Sequence, residues 1–321
     1  MKKFLTRWVR LRVFTALLAA FMVASCSPSA ANDDREQSNI SPHIGKSGED
    51  VAGGNPILTI QFNHALYVVR ELSDRARGNL RQEWIDIEDR RDNTLATYNV
   101  SNAAELNVAL KAVGAGDKIL LGAGDYGAVS LKNLTFDANI TIASKDPSAQ
   151  AVITKLDVAG SKGITFTDLE FSTNGSVKLG GLFSVVGSSK ITFDNVYVHG
   201  SLNGNPQDDV DGIRLVDSKD VTITNSEFEQ LRIAISHRDG DGMNISGNHI
   251  HDIRMDGIRG SGSSDILISK NYITDFYRVD GDHADAIQFF TGNTTEAAKN
   301  ITITDNIIDR GDGLKMQGIF I

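Results

Sequence analysis

The sequence predicts an all-β chain wound as a parallel solenoid, and three observations carry that prediction. First, six short segments can be laid over one another: ITFTDLEF from Ile164, ITFDNVYV from Ile191, VTITNSEF from Val221, MNISGNHI from Met243, ILISKNYI from Ile266 and ITITDNII from Ile301. Each alternates apolar and polar residues, the period of a strand with one buried face. Each turns at or near an asparagine (Asn195, Asn225, Asn248, Asn271, Asn306). Second, with Ile140 counted as an earlier copy, the starts lie 24, 27, 30, 22, 23 and 35 residues apart, and no helix-length periodicity fills the intervals. That argues against strand–helix–strand units. Third, a further strand sits eight residues before several starts: Ile213, Ile235 and Ile258 precede Val221, Met243 and Ile266 by that interval. Coils of this kind pair at about 4.8 Å and stack their inward residues into one continuous core.

The elements are taken in chain order. Lys2, Lys3, Arg7, Arg10 and Arg12 form a basic start without an acid, and Val13 to Val23 is apolar. Eleven apolar residues are too few to span a bilayer, so residues 1–25 read as a signal peptide. The small residues before Cys26 resemble the lipobox of bacterial lipoproteins. That resemblance implies lipidation at Cys26, a membrane partner through the N-terminal lipid, and a place in the cell envelope of a Gram-negative bacterium. Cys26 is the only cysteine, which excludes a disulfide. Residues 26–55 are polar and rich in Gly, Ser and Asn, as a flexible tether would be. Without residues 1–25 the chain carries 27 Lys and Arg against 41 Asp and Glu, a net charge of −14. So acidic a surface argues against nucleic acid as a partner.

Residues 56–97 differ from the repeating region. Ala65, Val69 and Leu72 recur at i, i+4, i+7, and Leu80, Trp84 and Ile87 repeat the spacing after Gly78, so a short helical segment of two charged amphipathic helices is expected. From Asn102 a capping helix is expected: Asn102 and Glu105 have capping-box spacing, Leu106, Leu110 and Val113 share a face, and Gly114 and Gly116 stop it. It would cover the open end of the sheet stack. A strand, Lys118 to Leu121, comes next.

In the repeat, the capped helix and the GDKILLGAGDY after it, residues 98–321 resemble the right-handed parallel β-helix of the pectate-lyase-like superfamily. The opening is similar to that of alginate-lyase-type and epimerase-type β-helix proteins. The resemblance implies a fold and a polysaccharide as partner; no catalytic motif transfers residue by residue. The chain ends at GIFI inside an expected strand, so the solenoid is expected to be incomplete at its C-terminus, and the chain to act as a monomer.

Stacking by the eight-residue offset aligns Asp211-Gly212-Ile213-Arg214, Ile233-Ala234-Ile235-Ser236, Asp256-Gly257-Ile258-Arg259 and Asp285-Ala286-Ile287-Gln288. The isoleucines form an inward column. Two outward columns are expected, one small (Gly212, Ala234, Gly257, Ala286) and one polar (Arg214, Ser236, Arg259, Gln288), making a shallow groove with donors along it. Six arginines (Arg214, Arg232, Arg238, Arg254, Arg259, Arg278) crowd this stretch. Their planar forks suit the carboxylates of an acidic sugar; the alternative is pairing with Asp208, Asp209, Asp211, Asp239, Asp241 and Asp256 nearby.

Eight positions after each first-strand start comes a second ladder, His199, Glu229, His251, Thr274 and Asp309, whose His–Glu–His portion can hold a transition metal or simply form a solvated polar face. The stretch DGDHADAIQ, residues 280–288, lies in the longest coil. Asp285 is in register with Asp211 and Asp256, whereas Asp280, Asp282 and His283 belong to an insertion, where function concentrates on a rigid scaffold. The expected activity is that of a lyase or C5-epimerase on a uronate-containing polysaccharide. His283 would act as base or acid, with Asp282 and Arg259 beside it as catalytic groups. Arg214, Arg254, Arg259 and Gln288 would bind substrate, and Asp280, Asp282 and Asp285 would hold Ca2+ or orient His283. Alternatives are a non-catalytic glycan-binding or adhesion solenoid, or a two-carboxylate glycoside hydrolase.

Overall fold

Each circuit of the chain from Lys118 onward lays one strand into each of three parallel sheets. In this computed structural model the described residues are 57–62, 65–70, 95–173, 182–292 and 294–321. The chain divides into two units, Met1–Asp92 and Asn93–Ile321.

In the first unit, Ile57–Phe62 and Ala65–Arg70 pair antiparallel, with Ile57 opposite Arg70 and Phe62 opposite Ala65. This corrects the helix expected through Ala65 and Val69. The i, i+4 pair of Ala65 and Val69 is a single match within six residues, and the β-branched and aromatic residues of ALYVVR favour the strand. The second expected helix, the signal peptide, the tether and Cys26 lie outside the described residues.

In the second unit the first sheet has nine strands, from Thr97–Val100 to Lys299–Thr304. The second has eight, from Gly124–Asp125 to Ile307–Ile308, and the third eight, from Ala128–Lys132 to Gln317–Phe320. Every aligned start of the first-sheet repeat pairs as the sequence aligns it: Ile140 with Ile164, then Ile191, Val221, Met243, Ile266 and Ile301 in turn. In the third sheet Ile213, Ile235, Ile258 and Ile287 stack likewise. These columns are buried and meet in one core. Phenylalanine rings cluster within it, Phe166 stacked on Phe193 at 5.0 Å and Phe171 edge-on to Phe183 at 5.4 Å.

Helix α1, Ala103–Ala112, closes the first end of the core with Leu106 and Ala109. Asn102 Oδ1 accepts from the Glu105 N–H at 3.0 Å, and Glu105 Oε2 accepts from the Ser101 N–H at 2.8 Å. The capping box thus closes one residue earlier than the spacing alone implies.

The asparagine turns prove to be two adjacent positions. Asp168, Asn195, Asn225, Gly247, Lys270 and Asp305 take positive φ where the chain leaves the first sheet. The next residue points inward, and there Asn248, Asn271 and Asn306 form a ladder. Asn271 donates to Ile245 O and Asn306 Oδ1, both at 2.9 Å, and its own Oδ1 accepts from the Asn248 backbone N–H at 3.0 Å. A serine ladder does the same between the third and first sheets, where Ser188 Oγ accepts from the Ser161 N–H at 3.1 Å and Ser218 Oγ from the Ser188 N–H at 3.3 Å.

Candidate functional site

The corner between the second and third sheets is where coil length varies most, because residues 200–212 and 274–284 are inserted there. It also collects the carboxylates. The third-sheet strands that leave it carry the expected outward column in register: Arg214 beside Ser236, Ser236 beside Arg259, Arg259 beside Gln288.

The small column is different. Gly212, Ala234, Gly257 and Ala286 are buried, and Ala234 and Ala286 belong to the core. A Cβ on Gly212 would sit 2.4 Å from Ala234 O, and one on Gly257 2.6 Å from Ala286 O. The backbone bends at this corner, so two successive residues face inward and alternation fails. No groove floor is built from these residues; their smallness lets neighbouring coils approach.

Behind the polar column lie two fully buried carboxylates on adjacent coils, Asp256 and Asp285. Asp256 Oδ1 accepts from the Asp285 N–H at 3.3 Å, and Arg259 Nη1 stands 3.5 Å from Asp256 Oδ2. Burial pushes the Asp256 carboxyl up to about 6; Arg259 opposes that rise and the Asp285 charge adds to it. Asp285 Oδ2 holds His283 Nδ1 at 2.8 Å and accepts from Gln288 Nε2 at 2.9 Å. A contact of that length between an imidazole nitrogen and a carboxylate needs a proton on Nδ1, which leaves Nε2 as the free lone pair. The His283 side chain is 49% exposed while its partner is wholly buried. Phe320 meets the ring edge-on at 5.4 Å. Arg259 lies over Phe290, its guanidinium carbon 4.8 Å from the ring centre, a cation–π contact.

The insertion does not gather its three acids. Asp282 is bound to Arg254, Nε to Oδ2 at 2.7 Å and Nη2 to Oδ1 at 3.4 Å. Asp285 turns inward and Asp280 is exposed. The expected cation set of Asp280, Asp282 and Asp285 is therefore corrected, as is the role of Asp282 beside His283; of the three acids expected to orient His283, Asp285 is the one that does so. Arg254 is corrected too, since Asp282 and Gln207 O, at 3.4 Å from Nη1, occupy it. Ion pairing also takes Arg232, bidentate to Asp211 with both bonds at 2.8 Å, and Arg238, 3.6 Å from Asp239. Among the described residues Arg214 has no such carboxylate partner. Of the substrate-binding set, Arg214, Arg259 and Gln288 thus share one face with His283.

Sequence reading missed Asp209 and overlooked Asp256 as a chemical group. Asp209 is 2% exposed, neither of its oxygens has a hydrogen-bond partner, and burial followed by the Asp208 charge raises its carboxyl to about 7. Its only signal in the sequence was the DD pair inside an insertion.

No curated protein matches the chain. Among solved structures, an alginate lyase from Paenibacillus sp. str. FPU-7 is similar at 13% identity, over 70% of this chain and 97% of that one, with a TM-score of 0.44. The pectate lyase Pel9A is similar at 16% identity, over 71% and 75% of the two chains, with a TM-score of 0.43. PfbA, a surface adhesin of Streptococcus pneumoniae, gives 16%, 65% and 74%, and 0.42. The family model described as "Right handed beta helix region" matches residues 154–321, just over half the sequence and the same coils whose strands stack in register. The chain belongs to the right-handed β-helix family.

Proposed function

We propose that the protein is a polysaccharide-active enzyme that removes the C5 proton of a uronate unit, as a lyase or a C5-epimerase. One observation carries this reading: a half-exposed imidazole, His283, is held through Nδ1 by a fully buried carboxylate, Asp285, on the face that also presents Arg259. His283 Nε2 takes the C5 proton, and Asp285 stabilises the imidazolium that forms. Arg259, and Arg214 two coils earlier, pair with the uronate carboxylate and with the negative charge that develops beside C5. In elimination the electron pair left on C5 forms the C4–C5 double bond, the C4–O bond breaks, and the leaving oxygen takes a proton. Asp256 is wholly buried, so that proton comes from the His283 imidazolium or from water. In epimerisation the proton returns to the opposite face of C5. An N-terminal lipid at Cys26 would tether the enzyme to the envelope.

The test is digestion of alginate, pectate and other uronate polymers, followed in the ultraviolet. Unsaturated ends support a lyase, and inversion at C5 without chain cleavage, read by NMR, supports an epimerase. Reducing ends without ultraviolet absorbance would replace this reading with hydrolysis. Binding without any turnover would replace it with an adhesin.

A further inference from the structure

A second cluster lies at the same corner, apart from His283. The second-sheet strands Glu227–Glu229 and His249–His251 lie side by side, with Glu229 paired to His251. Asp252 comes directly after, at a positive φ of 54°. Glu229, His251 and Asp252 bring one ligand atom each within 4.8 Å of one another. His251 Nδ1 lies 2.6 Å from Asp252 Oδ2, and its Nε2 lies 3.1 Å from Glu227 Oε1. Glu229 is held from its other side by the Tyr197 hydroxyl, which donates to Oε2 at 2.5 Å.

Glu229 and Asp252 also line a cleft of about 390 Å³, whose other walls include Asp209, Gln230 and Tyr277. The inserted residues Leu202, Gly204 and Pro206 form its rim. Asp209 stands in that wall with both oxygens lacking partners, although it is almost wholly buried. A cleft of this size with an orphaned carboxylate is built to hold something polar.

We propose that Glu229, His251 and Asp252 form a transition-metal site of the Zn2+ class that opens onto this cleft. One imidazole and two carboxylates suit a borderline divalent ion with a fourth position free, whereas Ca2+ demands six to eight oxygens. The ion replaces the proton shared by His251 Nδ1 and Asp252. His251 Nε2 then carries its hydrogen and donates it to Glu227, the carboxylate that orients a metal-bound histidine. Tyr197 orients Glu229 in the same way. Ligand atoms around tetrahedral zinc stand about 3.3 Å apart, so the cluster closes by a small side-chain adjustment. The free position takes a hydroxyl or carboxylate oxygen from a saccharide unit seated in the cleft.

The untagged full chain, stripped of metal, is titrated with Zn2+ by calorimetry and with Co2+ by visible absorption. The expected result is one Zn2+ per cleft and a Co2+ spectrum of an ordered low-coordinate site. His251→Ala, Asp252→Asn and Glu229→Gln should each weaken binding more than about tenfold, and Glu227→Gln about tenfold. Asn tolerates the left-handed backbone at position 252, so that variant keeps its fold. His283→Ala and His249→Ala should bind as wild type does. Absence of saturable binding would overturn the site. So would loss of binding in His249→Ala with Asp252→Asn unaffected, because the ion would then sit on Glu227, His249 and His251 at the sheet's outer face.

Discussion

Two corners of the same coil treat buried polar groups in opposite ways. Where the chain leaves the first sheet, Asn248, Asn271 and Asn306 hand hydrogen bonds from coil to coil. The buried amides of Asn248 and Asn271 donate to a carbonyl of the preceding coil and to the Oδ1 of the next asparagine, and each Oδ1 accepts from the preceding coil. Where it leaves the second sheet, Asp209, Asp256 and Asp285 are equally buried, yet each keeps at least one oxygen without a hydrogen-bond partner. A buried oxygen left unmatched costs about 1–3 kcal/mol, more when charged. The first corner is therefore what the solenoid needs in order to stand. The second gives up stability that the solenoid could have kept, and such losses concentrate at sites that do chemistry.

The contrast can be broken at several points. The harshest is Ile258→Asp, a charge placed in the fully buried third-sheet column with no partner. It should cost more than about 5 kcal/mol and abolish cooperative melting; a wild-type melt would mean the register is wrong. His283→Ala should lower turnover about 10²- to 10⁴-fold while the denaturation midpoint stays put, because the ring is half exposed and touches the core only through Asp285. Unchanged turnover would remove His283 from the chemistry.

Asn271→Leu should do the reverse. It strips the ladder of its middle rung, leaves the Asn248 N–H and the Ile245 carbonyl unmatched, and should cost about 2–4 kcal/mol in urea denaturation without altering catalysis at matched stability. The mildest change has the opposite sign. Asp256 holds its proton to about pH 6 when folded, against about 3.9 unfolded. Between those values the folded state binds the extra proton, so stability falls as pH rises through the window and levels off above it. Asp256→Asn should therefore gain about 1–3 kcal/mol at pH 8 and nothing near pH 4. A melting-temperature difference independent of pH would show that the Asp256 charge is not the cause.

The same contrast explains what the sequence made legible. Stacking is periodic, so Val221 against Met243 and Ile258 against Ile287 could be read off by alignment, and every such pair holds. The corner is aperiodic. Gly212 and Ala234 looked outward because alternation was carried one residue too far, through a bend that turns them in. Arg254 looked available because its partner, Asp282, sits 28 residues later on an insertion whose path no repeat dictates. His283 was legible as an exposed loop histidine. Its tie to Asp285 was among the roles expected of the three acids, but singling out Asp285 required knowing that the strand begins two residues later and faces its first side chain inward. The hairpin at 57–70 was lost for a different reason: in a segment as short as ALYVVR one i, i+4 match outweighed the β-branched and aromatic composition.

Coil lengths from 22 to 35 residues leave every first-sheet pairing in place. Extra chain is looped out between the second and third sheets, at 200–212 and 274–284, and between the third and first at 291–298. Strand pairing joins each coil only to its neighbours, so a loop exchanged on one coil leaves the sheet pairing of distant coils untouched, although the 200–212 loop also meets Arg254 two coils on. These corners are sockets. Segments from other β-helices, longer or shorter, can be grafted between Gly200 and Gly212 or between Thr274 and Ala284 while the isoleucine columns hold their places. Specificity can thus be rewritten one coil at a time along a scaffold that never has to be redesigned.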